Sequence, residues 1–231
     1  MKNILIFIFI PLIMLGQTFK YNFTSEIIKK VNLDYLIYLP HNYNSKEKFP
    51  LVLFLHGSGE RGNDIKKVET HGLPKLVKEG RQFPFIIVSP QCKENLIWED
   101  LTEELHLLLE NIKSSYSVDT TRIYCTGLSM GGFGTWALAF KYPNYFAAIA
   151  PVCGGTVYWE AHKIKHIPIW AFHGDKDDVV PIFYQDIIIK NLQSLKAPVK
   201  FTVYKGMGHN VWDTTYNRND LYEWLLQQKI K

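Results

Sequence analysis

From Tyr35 onward the chain alternates short, nearly continuous apolar runs with longer segments whose apolar residues recur at helical spacing. No other feature restricts the possible folds as strongly. An apolar run without a polar face suits a strand covered on both sides, whereas a half-exposed sheet would alternate strictly. Strands are expected at residues 35–39, 51–55, 85–89, 123–126, 146–150, 169–172 and 200–204. The first alternates more than the others and is expected as an antiparallel edge. Helices are expected at 101–113, 132–141, 182–195 and 219–228. Helices joining parallel strands make right-handed crossovers, so the expected class is α/β, a mostly parallel central sheet with helices on both faces. Ligands of such open sheets gather at the carboxyl ends of the strands. Chemistry is therefore sought just after Leu55, Thr126, Phe172 and Tyr204.

Length and composition narrow the classes. A chain of 231 residues with 47% apolar and 21% charged residues suits one globular domain and excludes a disordered or fibrous one. A net charge of +4 without a basic run gives no electrostatic footprint for nucleic acid. At the start, Lys2 precedes the apolar stretch 4–15, broken only by Pro11, and then come Gly16 and Gln17. That layout reads as a signal peptide over residues 1–16, with 17–231 as a single catalytic domain exported to the periplasm or the exterior. A bilayer span needs about 20 apolar residues, so no stable membrane anchor is expected. Cys92, Cys125 and Cys153 are too few for a disulfide framework. Cys125 and Cys153 fall in or beside apolar runs and read as small buried thiols. No pair has the CxxC spacing of a metal site.

After the run 123–126 comes Gly127-Leu128-Ser129-Met130-Gly131, then Gly132 and a helical segment. A serine nucleophile has to project from a tight strand-to-helix turn, and flanking glycines permit the close backbone approach that turn demands. The same pentapeptide occurs in glycine-rich turns without catalysis, and it is the strand, turn, helix context that favours Ser129 as nucleophile. A serine hydroxyl needs a base to take its proton and a carboxylate to orient that base, and in this turn type they follow in the order acid, then base. Asp175, Asp177 and Asp178 follow the run 169–172, and His209 follows 200–204. Asp175, beside Gly174, fits a turn-supporting role, while periodicity does not separate Asp177 from Asp178. Donors for an oxyanion are expected from the backbone N–H of Met130, next after the nucleophile, and of Ser58 in the early loop His56-Gly57-Ser58-Gly59-Glu60-Arg61-Gly62.

Other residues carry weaker signals. His56 reads as structural, since one base suffices. Glu60 and Arg61 either bind a polar substrate group or form an ion pair that shapes their loop. Gln91 and Trp98 either wall a site for a sugar or phenyl ring or pack in the core. His162 and His166 stand four apart, yet no third ligand matches them and HExxH is absent, so no metal is expected. Gly131, Gly132 and Gly134 lack a following GK[ST] and belong to the serine turn. No cofactor is implied.

The stretches LVLFLHGSGERG, FIIVSPQC, GLSMGGFGTWALAFKYPNYFAAIAPVCGG, PIWAFHGDKDDVVP and GMGHNVW resemble the secreted esterase and predicted-peptidase group of α/β-hydrolases. That group includes phospholipase/carboxylesterase and dienelactone-hydrolase-like proteins and borders on feruloyl and acetyl-xylan esterases. The resemblance implies the α/β-hydrolase fold, and its pattern HGxxDxxVP puts the acid at Asp177, with Asp178 as the alternative. Dienelactone hydrolases proper use cysteine where this chain has Ser129, which argues against that activity. The implied function is a serine carboxylic-ester hydrolase working through an acyl-enzyme on short-chain or aromatic-acid esters, glycan-linked ones included. The alternatives are a serine peptidase of the same fold and a catalytically inactive module that binds carbohydrate or protein.

Overall fold

The computed structural model describes residues 20–26 and 28–230. The chain divides into two units, Met1–Lys30 and Val31–Lys231. The described residues of the first unit form neither helix nor strand, and the expected signal peptide lies outside the described residues.

In the second unit every apolar run expected as a strand is one: β1 (Tyr35–Tyr38), β2 (Phe49–Leu55), β3 (Ile86–Pro90), β4 (Val118–Leu128), β5 (Ala148–Val152), β6 (Ile169–Gly174) and β7 (Val199–Tyr204). They make one sheet in the order β1-β3-β2-β4-β5-β6-β7. β1 pairs antiparallel with β3 at the edge, and the other neighbours are parallel. The helices are α1 (Gly72–Lys78), α2 (Thr102–Ser115), α3 (Met130–Lys141), α4 (Phe183–Ser194), α5 (Trp212–Tyr216) and α6 (Asn219–Leu226).

Continuous burial explains the continuous apolar runs. All of β2 is buried, and its side chains divide by parity: Leu51, Leu53 and Leu55 face a core shared with α2, α3 and α4. Val52 and Phe54 face a second core shared with α1, α5 and α6. Both faces of the sheet are therefore covered, as a parallel sheet requires.

Three elements depart from expectation. β4 begins at Val118, five residues earlier than its apolar run, because Asp119, Thr120 and Thr121 extend the strand where it leaves the core. The short helices α1 and α5 were not expected. α1 opens on Gly72, at φ +64°, where a Cβ would collide with the Phe54 ring, and Pro74 follows in its first turn. Glycine and proline there mask the helix from any periodic reading.

Strand order locates the place where a site can form. The chain moves outward from β2 to β3, then crosses back to β4 on the other side of β2. The crossovers thus part between β2 and β4, and a crevice opens beyond their carboxyl ends. The loops after Leu55 and Leu128 lie there.

Candidate active site

Ser129 stands between β4 and α3 at φ 52° and ψ −117°, a conformation that costs of order 1–3 kcal/mol for a residue with a side chain. The surroundings enforce it. A Cβ on Gly131 would run into the Leu55 carbonyl, and one on Gly127 into the Gly131 carbonyl. The backbone of this turn thus packs against the end of β2 with no room for side chains. The Ser129 N–H donates to Val152 O at 2.9 Å, tying the turn to β5 as well.

At the end of β7, His209 places Nε2 2.9 Å from Ser129 Oγ. Its Nδ1 lies 2.7 Å from Asp177 Oδ2. A carboxylate only accepts, so Nδ1 carries the proton and Nε2 is left to accept from the serine hydroxyl. The Asp177 side chain is wholly buried, and that of His209 is 14% exposed. Asp177 Oδ1 accepts the N–H groups of Val179 and Val180 at 3.0 and 2.8 Å. Gly174 permits the approach of the two loops, since a Cβ there would strike the Met207 and Gly208 carbonyls. Asp178 is exposed, and Asp175 accepts from the Gly206 N–H at 2.6 Å, bracing the turn after β7. A hydroxyl, an imidazole and a buried carboxylate in series can carry a proton from Oγ to Nε2 while the carboxylate holds the resulting charge.

Ser58 opens a 3-10 turn (Ser58–Glu60) after β2, and Met130 opens α3. The first N–H of a helical turn has no acceptor within the turn, so each is a donor available for a ligand. Gly57 brings the first loop against the second: a Cβ there would lie 2.8 Å from Leu128 Cδ1.

The weaker candidates resolve into structure. His56 is buried, with Nδ1 donating to Gly57 O at 2.6 Å and Nε2 accepting from the Cys92 N–H at 3.0 Å. Burial brings its pKa down to about 4, so it is neutral and structural. Trp98 has no exposed surface and donates its indole N–H to His56 O at 2.9 Å. Gln91, also buried, spends its amide on the carbonyls of Glu60 and Asp64, both at 2.8 Å. Neither can wall a substrate, and the core reading of this pair replaces the aromatic-wall reading. Nor do Glu60 and Arg61 shape their loop by pairing. Arg61 bonds the carbonyls of Ser58 and Leu96, while the buried Glu60 carboxylate lies 3.8 Å from His71 Nε2. Burial raises the Glu60 pKa. His166 bonds the Pro143 carbonyl at 2.9 Å. Cys92, Cys125 and Cys153 are free and buried, and the Cys153 thiol donates to the His209 carbonyl at 3.0 Å.

Sequence reasoning missed the aromatic wall that does exist. A groove of about 460 Å³ is lined by Phe133, Tyr158, Trp159, Phe183, Tyr184 and Glu99, among others. Phe133 is one helical turn beyond Ser129 and donates its N–H to the Ser129 carbonyl. Trp159 and Phe183 are 66% and 61% exposed. Glu99, partly desolvated on this wall, has its pKa raised by burial. The signal was present as Val157-Tyr158-Trp159 and Phe183-Tyr184 just past two strand ends, but it has no spacing that separates it from core aromatics.

Residues 80–220 match the family model described as phospholipase/carboxylesterase. A bifunctional acetylxylan esterase/xylanase of Neocallimastix patriciarum is 29% identical over 163 residues, covering 68% of this chain and 23% of that protein. A probable feruloyl esterase C of Aspergillus oryzae is 24% identical over 159 residues, covering 67% of this chain and 58% of its own. The chain thus spans less than two thirds of the length of either relative. Among solved structures, a thermostable esterase superposes with a TM-score of 0.74 at 33% identity, over 85% of this chain and 59% of that one.

Proposed function

The chain belongs to the phospholipase/carboxylesterase family and has the α/β-hydrolase fold, and from that premise we propose that it is a serine carboxylic-ester hydrolase acting through an acyl-enzyme. One observation carries the proposal: the unbroken run from Ser129 Oγ through His209 to Asp177, with links of 2.9 and 2.7 Å, assembled from three strand ends. Ser129 attacks the ester carbonyl while His209 Nε2 takes its proton. The N–H groups of Met130 and Ser58 receive the oxyanion. His209 returns the proton to the leaving alcohol, and water repeats the sequence to release the acid. Asp177 holds the imidazole in the Nδ1–H tautomer and stabilises it when charged. No step calls for a cofactor.

The aromatic groove is lined by Phe133, one turn beyond Ser129 on the same helix. We assign it to the acyl side, which leaves the alcohol to depart beside His209 Nε2. Its apolar walls suit short-chain or aromatic acids, including acids esterified to glycans. Export rests on the charged-then-apolar start of the sequence. Among the described residues no helix is long and apolar enough to cross a membrane.

A fluorophosphonate probe and a panel of acetyl, longer acyl, hydroxycinnamoyl and matched peptide substrates test the proposal. The expected result is labelling at Ser129 and a specificity constant for esters far above that for peptides, whose poorer leaving group needs stronger protonation. Turnover of esters without labelling would overturn the nucleophile. Equal constants on a natural ester and a peptide of the same acyl part would make the protein a peptidase.

A further inference from the structure

The histidine of the stretch HGDKDDVVP is unused by this chemistry, yet its Nε2 lies 3.1 Å from the same Asp177 oxygen that His209 engages at 2.7 Å. His173 is wholly buried near the end of β6. Its Nε2 lies 2.8 Å from the Val180 carbonyl and 3.1 Å from Asp177 Oδ2. Both facing atoms are acceptors, so the ring proton must sit on Nε2. Nδ1 is then a bare lone pair, consistent with its having no hydrogen-bond partner. Burial lowers the pKa of this histidine, which makes the ring a neutral donor rather than a second cation beside His209. Among the described residues, Asp177 and His209 act on it electrostatically, and Asp177 in turn faces the Cys153 thiol just past β5.

The geometry closes on itself. His173 holds the Val180 carbonyl, Val180 gives its N–H to Asp177 Oδ1, and the polar edge of His173 is turned to Oδ2. The carboxylate is held at Oδ1 by the Val179 and Val180 N–H groups and at Oδ2 by His209, and the oxygen bonded to His209 is the one His173 faces.

We propose that His173 is a positioning residue for the reaction: as a neutral Nε2–H donor it clamps the loop 177–180 and partly satisfies Asp177 Oδ2, setting how strongly Asp177 holds the His209 imidazolium. This rests on the reading of Asp177 as the acid of the serine site. Removing the donor has two consequences that loss of packing alone does not. The acid loses orientation, so kcat falls with little change in KM. The less satisfied carboxylate also holds an imidazolium more strongly, so the acid limb of the kcat profile moves to higher pH.

The test compares His173→Phe, which keeps ring volume and removes the donor, with His173→Gln, whose amide can reach the same acceptors. Kinetics are measured from pH 4.5 to 9 on 4-nitrophenyl acetate, with circular dichroism and Tm for each variant. His173→Phe is expected to lose about 10- to 100-fold in kcat with its acid limb displaced upward. His173→Gln is expected to recover most of the rate and the original limb. A folded His173→Phe protein with wild-type kcat and profile would overturn the proposal. So would an equal loss in both variants with the limb unmoved, the mark of a packing role. Should His173→Phe fail to fold, His173→Asn replaces it: its shorter amide cannot span both acceptors, and a wild-type profile there would overturn the proposal equally. Asp177→Asn separates the two levels of inference, because wild-type activity in that variant would remove the acid assignment itself and not the clamp alone.

Discussion

The two halves of the crevice are built on opposite principles. Around Ser129, His209 and Asp177 every close approach is forced: glycines where carbonyls leave no room, a residue at positive φ, and a carboxylate with both oxygens engaged. Across the opening, Trp159, Phe183 and Tyr184 present half or more of their surface to solvent, and among the described residues ring contacts such as Tyr158–Trp159 and Phe183–Tyr184, not hydrogen bonds, hold these side chains. The proton transfer proposed for the first half tolerates little misplacement, and that half is over-determined accordingly. A wall that only has to exclude water and offer apolar area tolerates much more, so its half is held loosely.

That contrast breaks most visibly at the serine. Ser129→Ala should abolish ester hydrolysis, a loss of about 10⁶-fold in kcat of the kind seen when such a nucleophile is removed. Tm should stay close to wild type, because a half-buried hydroxyl at the turn supports no core. A variant keeping a tenth of wild-type activity would show that the constrained half is not the reacting one. Next comes the acid: Asp177→Asn should lower kcat about 10⁴-fold by leaving His209 in the wrong tautomer, whereas Asp178→Asn, at an exposed position, should cost at most about threefold, within the range of ordinary surface changes. Loss confined to Asp178→Asn would move the acid by one residue.

The same contrast explains what was readable in the sequence. Tight backbone approach demands glycine, proton transfer demands serine, histidine and aspartate, and both demands leave marks at fixed spacing, as in GLSMGG and GMGH. The sheet was legible for a related reason: burial on both faces makes a strand apolar throughout, as in β2 and β3. Periodicity does not separate Asp177 from Asp178; the family resemblance favours Asp177, and the turn that brings the Val179 and Val180 N–H groups onto Oδ1 is what distinguishes them physically. Trp98 and Trp159 both stand past strand ends in the sequence. One is entirely buried beneath the helix of the nucleophile and the other is 66% exposed, and that difference arises from tertiary packing that no local spacing encodes.

A sharper form of the comparison lies in pH. The packed half contains His56, whose pKa falls from 6.5 in the unfolded chain to about 4 in the fold, and His173, shifted the same way. Each binds a proton more readily when unfolded. Their contribution to stability is therefore complete above pH 6.5 and is lost on acidification, for His56 as pH falls towards 4. At one pKa unit per 1.36 kcal/mol, His56 alone should make the protein about 2 kcal/mol less stable at pH 5 than at pH 7.5. Glu60, with its pKa raised, opposes this only near and above 4.5. Urea unfolding at the two pH values, repeated on His56→Asn, measures the term. An unchanged difference between the pH values in the variant would assign the acid sensitivity elsewhere.

The smallest expected effect tests the loose half itself. Trp159 and Phe183 are 66% and 61% exposed, so truncation removes little buried area, and Tm should move by no more than about 2 °C, as for surface substitutions generally. Substrate selection is where a difference should show. An aromatic contact contributes about 0.5–1.5 kcal/mol beyond its area. Trp159→Ala or Phe183→Ala should accordingly lower the ratio of kcat/KM for a hydroxycinnamoyl ester to that for the acetyl ester of the same alcohol by about 2- to 10-fold. The acetyl group is too short to reach the outer wall, so the ratio isolates the groove from the proton relay. The double variant should lose no more than the product of the two singles, because loosely held side chains with no shared hydrogen bond have little through which to couple. A loss on both esters alike would mean that the wall supports the serine turn through Phe133, and the two halves of the crevice would then be one mechanical unit.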